Sequence, residues 1–273
     1  MKDIDLTIGI ATCGRPRVLR RCINSIKKHI QLPLKILIVD NVGAFTNKTE
    51  VKAKNFIKGD NIQIIEIDDR KIGCCESNNL VLENCDTQYL MYLDDDVYFH
   101  EPGTAEALLE MLRYLENIYE RVGVGAAWFD KFYNNFRHCA MKYIFGYIDK
   151  KLYVKKLPID YRFARQFGFE WTETDELLHT MIFNVNTLRK LDIKWDNNFQ
   201  WKGDRLDFFL TLKQHNFALY QYNTKYVIHD PKPFKYGSLS YEFDGKAAIE
   251  YFVKKWNIYP IVGWDKPQIK PRP

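Results

Sequence analysis

The first hundred residues switch repeatedly between two periodicities, and that alternation limits the fold more than any other feature. "LTIGIAT" (6–12), "LKILIVDN" (34–41), "IQIIEID" (62–68) and "TQYLMYLDDD" (87–96) are short apolar runs rich in branched side chains. Between them, 15–30, 49–59 and 75–85 carry apolar residues at helical spacing, the first with Pro16 near its start. Strands of this length separated by helices pair in parallel through right-handed crossovers, which predicts a doubly wound, mostly parallel α/β sheet with helices on both faces. A further helix is expected over 102–120, then an aromatic, irregular stretch (121–200) of short strands packed against that sheet. A helix over 204–216, a strand over 217–230 and a helix over 242–256 follow, with a loose Pro-rich tail at 261–273. No linker divides the 273 residues, so they read as one domain: a ligand-binding half (1–100), a second half (101–260) and the tail.

In such sheets ligands bind beyond the carboxyl ends of the strands. Thr12 to Arg15, Asp40 and Asn41, Asp68 to Arg70, and Asp94 to Asp96 all stand at those ends, so four polar clusters converge on one crevice. The densest is "YLMYLDDDV" (89–97), where a buried apolar run meets three consecutive carboxylates. Mutual repulsion there calls for a countercharge, and a cation is the direct solution. If the strand stays extended, Asp94 and Asp96 point together and Asp95 away. Two hard oxygen donors on one side suit Mg2+ or Mn2+, completed by substrate phosphate oxygens.

Composition excludes several classes. The net charge of +5 is modest and its lysines and arginines are scattered, which gives no strong nucleic-acid footprint. No apolar run approaches the roughly 20 residues of a bilayer span, leaving only peripheral contact with a membrane surface. Six cysteines without C-x-x-C spacing, and a start lacking a secretion signal, fit a reducing cytoplasmic setting.

"TIGIATCGRPRVLRRCINSI", "ILIVDN" and "GCCESNNLVLENCDTQYLMYLDDDV", with "WKGDRLDFFLTLKQHNFALYQYNTKYVIHD" further on, resemble in order and spacing the nucleotide-sugar-dependent glycosyltransferases of the GT-A fold, particularly the large family 2. The resemblance implies Thr12 and Arg15 near the base and diphosphate, and Asp40 as the acid that accepts a hydrogen bond from uracil. It places Gly73 and Asn78 near the ribose and diphosphate. An arginine often found in that segment is replaced by Asn78, so Arg70 or Lys71 is left to supply the charge. Asp94 and Asp96 match the metal-binding D-x-D pair, with Asp94 toward the ribose, Asp95 also facing the donor, and His229 as a third metal ligand. "WKGDRLDFF" resembles the segment that delivers the general base, which points to Asp204 with Asp207 in reserve one turn on; relatives often carry Asp or His where Arg205 stands. Of Trp171, Trp195 and Trp201, only Trp201 is retained as an acceptor contact.

The implied activity is transfer of a sugar, with inversion, from a UDP-linked donor to a glycan or other hydroxyl acceptor, with Mn2+ or Mg2+ as cofactor. Two alternatives stay open: a sugar nucleotidyltransferase, and a binding module that has lost the chemistry at Asn78 and Arg205.

Overall fold

The computed structural model describes residues 4–13, 15–41, 52–68, 72–131, 134–136, 140–148, 150–159, 168–199, 203–230 and 245–260. In chain order the strands are β1 (Leu6–Thr12), β2 (Leu34–Asn41), β3 (Ile62–Ile67), β4 (Tyr89–Leu93), β5 (Val97–Phe99), β6 (Val122–Asp130), β7 (Asn135–Phe136), β8 (Ala140–Ile148), β9 (Lys151–Ile159), β10 (Trp171–Glu173), β11 (Thr180–Asn184), β12 (Ala218–His229) and β13 (Tyr259–Pro260). The α-helices are α1 (Pro16–His29), α2 (Cys74–Asn84), α3 (Thr104–Glu116), α4 (Val185–Lys190), α5 (Asp204–Gln214) and α6 (Gly245–Trp256).

The main sheet runs β3-β2-β1-β4-β11-β6-β12-β10, with β5 paired to β12 and β7 to β6. β3, β2, β1 and β4 are mutually parallel, as are β6 and β12. β11 is antiparallel to both β4 and β6, so β6 and β12 point the same way as the first four strands. The mostly parallel sheet expected from the alternating pattern is therefore present, with one reversed strand at its centre.

Strands buried on both faces explain the near-continuous apolar runs. Leu6, Ile8, Ile10, Met91 and Leu93 turn to one core layer with Leu19, Ile23 and Ile26 of α1 and Leu108 and Leu112 of α3. Leu37, Val39, Leu90 and Tyr92 turn to the other, with Val81 of α2, Leu188 of α4, Phe208 of α5 and Phe252 of α6. The register of two in the strands thus meets helical spacing on each side. Gly9 permits α2 to sit close over β1, since a Cβ there would lie 2.2 Å from Val81 Cγ1. That contact sets the first turn of α2 beside the crevice.

Two expectations change. Over 52–59 the chain forms only a 3-10 turn, Ala53–Asn55, in place of a helix; residues 49–51 lie outside the described ones. A segment this short cannot offset the cost of nucleating a helix, and its Ala53 N–H is taken by a side chain instead. Within 121–200, β6 and β11 enter the main sheet and do not pack against it, while β8 and β9 form an antiparallel pair in a separate sheet that β13 extends parallel to β9. Trp195 is core: it is 2% exposed and stacks on Phe208 at 4.1 Å. Among the described residues no helix is long and apolar enough to cross a membrane.

Candidate active site

β4 ends at Leu93, and Asp94 to Asp96 form a turn closed by Val97 N–H donating to the Asp94 carbonyl at 3.1 Å. β5 then pairs antiparallel with β12, setting Val97 opposite His229, and His229 stands opposite Asp130 of β6. Because the segment turns, strict alternation does not apply. Asp95 and Asp96 are the pair that share a partner, and Asp94 is held separately, contrary to the extended-strand expectation.

The partners form an unbroken chain. Thr12 Oγ1 donates to Asp95 Oδ2 at 2.6 Å. Arg15, at the N-terminus of α1, donates Nε to Asp95 Oδ2 at 2.9 Å, pairs with Asp95 Oδ1 through Nη2, and donates Nη1 to Asp96 Oδ2 at 2.9 Å. His229 Nε2 lies 3.7 Å from Asp96 Oδ1. The His229 ring stacks on His179 with centroids 4.0 Å apart, and His179 Nδ1 is 2.7 Å from Asp94 Oδ2. Arg205 Nη2 closes the line, donating to that same oxygen at 2.7 Å. Two guanidiniums thus offset much of the charge for which the sequence alone pointed to a cation.

The electrostatics follow from these contacts. Burial opposes ionisation of Asp94, but Arg205 and His179 outweigh it and hold the carboxyl below its usual range. Burial, with His179 beside it, lowers His229 to about 4, so the imidazole is neutral near pH 7, the form that ligates metals. Its Nδ1 is buried without a hydrogen-bond partner, and its Nε2 is too far from Asp96 to donate. An Asp96 carboxylate oxygen facing an unprotonated imidazole nitrogen is donor chemistry that suits Mn2+ or Mg2+, while Arg15 and Arg205 engage oxygens of all three aspartates.

Asp40 lies at the end of β2, in register with Thr12, and its Oδ2 accepts from Ala53 N–H at 2.7 Å. Burial raises its pKa, an effect the Ala53 amide partly offsets. Asn41 Nδ2 donates to the Ile72 carbonyl at 2.8 Å, tying this strand end to Gly73. Asn78 lies one turn into α2, where its carbonyl accepts from Tyr92 OH at 3.4 Å. Asp204 opens α5 after Gly203, whose φ of +83° reverses the chain at a cost only glycine escapes. Its Oδ2 accepts from the Cys74 thiol at 3.3 Å. Asp207, one turn further along α5, is 1% exposed and is held by Lys255 Nζ and Trp256 Nε1, both at 2.7 Å, against α6. Its carboxylate is thus engaged by structural partners, unlike that of Asp204, which meets the Cys74 thiol. Arg70, Lys71 and Trp201 lie outside the described residues.

His179 was not singled out from sequence, and Arg205 only as a departure from the family pattern. The signal for His179 is conformational: φ is +64° at a non-glycine residue directly before a strand, a strained placement that clusters at functional sites.

An α/β sheet with an acidic turn at the carboxyl end of a central strand, reached by a reversed strand, is the arrangement of the GT-A fold. The family model described as Glycosyl transferase family 2 matches residues 7–191, and the chain belongs to that family. The match ends before α5 and β12. Comparison with curated proteins finds no match. Among solved structures, GalNAc-T7 with UDP, GalNAc and Mn2+ is similar at a TM-score of 0.66 and 15% identity, over 93% of this chain and 49% of that one. S. aureus TarS 1-349 in complex with UDP-GlcNAc gives 0.60 and 13%, over 88% and 62%; another structure of TarS 1-349 gives 0.55 and 13%, over 83% and 60%. The chain thus spans 49–62% of the length of these structures, less than two thirds of each.

Proposed function

We propose that the protein is a metal-dependent, inverting glycosyltransferase that takes a UDP-linked sugar and passes it to the hydroxyl of a glycan or related acceptor. The observation that carries this reading is the contact line from Thr12 to Arg205, which brings side chains of β1, α5 and β12 to one acidic turn at the crevice. The presence of UDP in the GalNAc-T7 structure and of UDP-GlcNAc in a TarS structure supports the choice of donor.

Asp40 receives the base at the end of β2, and Thr12, Gly73 and Asn78 border the ribose. Arg15, paired with Asp95 and Asp96, spans the acidic turn and places its positive charge beside the donor's diphosphate. Asp94, Asp96 and His229 would hold the divalent cation, which would supply positive charge for the leaving diphosphate, while Asp95, held by Thr12 and Arg15, is assigned to the donor side. Asp204 takes the proton from the acceptor hydroxyl, and its Cys74 contact fixes the carboxylate's orientation. The acceptor oxygen forms its bond to the anomeric carbon from the face opposite the breaking carbon–oxygen bond, so one displacement inverts the configuration.

The test is UDP release from a panel of UDP-sugars with Mn2+, repeated with Asp96→Ala. Metal-stimulated release that disappears in the variant supports the reading. Pyrophosphate release would mark a nucleotidyltransferase instead, and tight UDP binding without turnover a binding module.

The β8–β9 hairpin supports a peripheral membrane contact. It exposes Ile144, Phe145, Tyr147 and Leu157 alongside Lys150, Lys151 and Lys155. Apolar side chains edged by cations suit an anionic lipid surface.

A further inference from the structure

Among the described residues, one group of His, Cys, Asp or Glu side chains brings three ligand atoms within metal-binding distance of one another. We propose that Cys74, Cys75 and Asp204 form a second, thiophilic metal site, which takes a soft divalent cation such as Zn2+. Resting on the assignment of Asp204 as base, this site also gives the transferase a brake: a cation bound there occupies the carboxylate that must accept the proton.

One ligand atom from each residue lies within 4.8 Å of the other two. Cys74 Sγ is already 3.3 Å from Asp204 Oδ2. Tetrahedral zinc with Zn–S of about 2.3 Å and Zn–O of about 2.0–2.2 Å spaces its ligands roughly 3.5–3.8 Å apart. Closing the site therefore needs side-chain movements of about 1 Å at most, with water completing the fourth position as in open zinc sites.

The donors come from two rigid supports. Cys74 and Cys75 are the first two residues of α2, held over β1 by the Gly9–Val81 contact. Asp204 is the first residue of α5, anchored by buried Phe208 and Phe209. Two thiolates and one carboxylate carry one more negative charge than the cation neutralises, and the positive ends of both helices offset the remainder.

Donor chemistry separates this site from the acidic turn. Sulfur ligands select Zn2+ or Cd2+, whereas carboxylate oxygens favour Mg2+ or Mn2+. A hydrogen bond from Cys74 lowers the Cys75 thiol, but burial and the Asp204 charge outweigh it and raise its pKa; Cys74 is raised well above the usual thiol value by its contact with Cys75 and by burial. Each cation bound by both sulfurs consequently expels two protons.

Cd2+ is the probe, titrated in a non-thiol reductant with neither donor nor acceptor present. One Cd2+ per chain should bind with a thiolate-to-cadmium charge-transfer band in the ultraviolet. Cys74→Ser and Cys75→Ser should each remove much of that band, and Cys13→Ser should leave it unchanged. Asp204→Asn should weaken binding at least about tenfold, since loss even of an outer-shell partner costs roughly 10–100-fold. Absence of the band, its survival in either serine variant, or its loss in Cys13→Ser overturns the site. Should a serine variant fail to fold by circular dichroism, alkylation of the wild-type chain decides: Cd2+ must shield Cys74 and Cys75, and equal labelling with and without it refutes the proposal. UDP release in Mn2+ with added Zn2+ then reads the brake. A chain that gives the cadmium band but turns over no donor refutes the transferase reading alone.

Discussion

Arg205 Nη2 and His179 Nδ1 converge on the same atom, Asp94 Oδ2, each at 2.7 Å. The pairing joins the first turn of α5 to the acidic turn across 111 residues of sequence. It also gives a role to Arg205, since its guanidinium holds Asp94 ionised and in place.

Arg205→Ala should therefore reduce kcat/KM by about 10–150-fold, the equivalent of a charged hydrogen bond worth roughly 1.5–3 kcal/mol. Arg205→Lys should restore only part of the loss, because an ammonium is a point charge without the guanidinium's fixed fork. Initial rates of UDP release measure both. An alanine variant as active as wild type would refute the assignment.

Asp204 and Asp207 should separate cleanly. Asp204→Asn should lower kcat by about 10²–10⁴-fold, the usual contribution of a general base, with thermal stability close to wild type. Asp207→Asn should do the reverse: its carboxylate is buried against Lys255 and Trp256, so the loss should be up to about 3 kcal/mol of stability with kcat near wild type. Denaturant melts paired with steady-state kinetics distinguish the two.

Asp196 gives a pH signature. Burial raises its pKa, but Lys255, Asn198 and Tyr251 outweigh this and hold it below the usual carboxylate value. The unfolded chain then binds more protons than the folded one as pH falls through the ordinary range near 4, so this contribution is complete above that range and lost below the depressed folded pKa. The stability gap between wild type and Asp196→Asn should be widest near neutrality and close toward pH 2. A gap that persists in acid would contradict the charge-based account.

The β8–β9 hairpin predicts cosedimentation with vesicles containing anionic lipid, weakening as salt rises. Replacing Lys151 and Lys155 with alanine should cost about 2 kcal/mol, a factor of roughly thirty in partitioning. Equal binding to neutral vesicles, or none to anionic ones, would remove membrane contact from the proposed function.

Much of the first half was legible in the chain itself. β1 and β2 fall on the expected 6–12 and 34–41, because strands covered on both faces leave continuous apolar runs bounded by polar ends. Thr12, Arg15, Asp95, Asp96 and His229 do meet, since a parallel sheet delivers its strand ends to one side. The rest depends on distant pairings that leave no local trace. His179 meets Asp94 across 85 positions, and the Asp207–Trp256 contact crosses 49, so neither helical spacing nor charge pattern marks them. β6 was obscured by aromatic residues that read as irregular, although Gly123 and Gly125 within it make room for Phe183 and Leu177.

The reversed direction of β11 reaches beyond topology. Thr180 sits opposite Leu93 and Asn184 opposite Tyr89, so the strand begins at the rim where its parallel neighbours finish. A peptide spliced in ahead of Thr180 would overhang the acidic turn, whereas one placed after Asn184 would emerge on the far rim. That makes the 168–179 segment the natural place to reshape what the crevice admits.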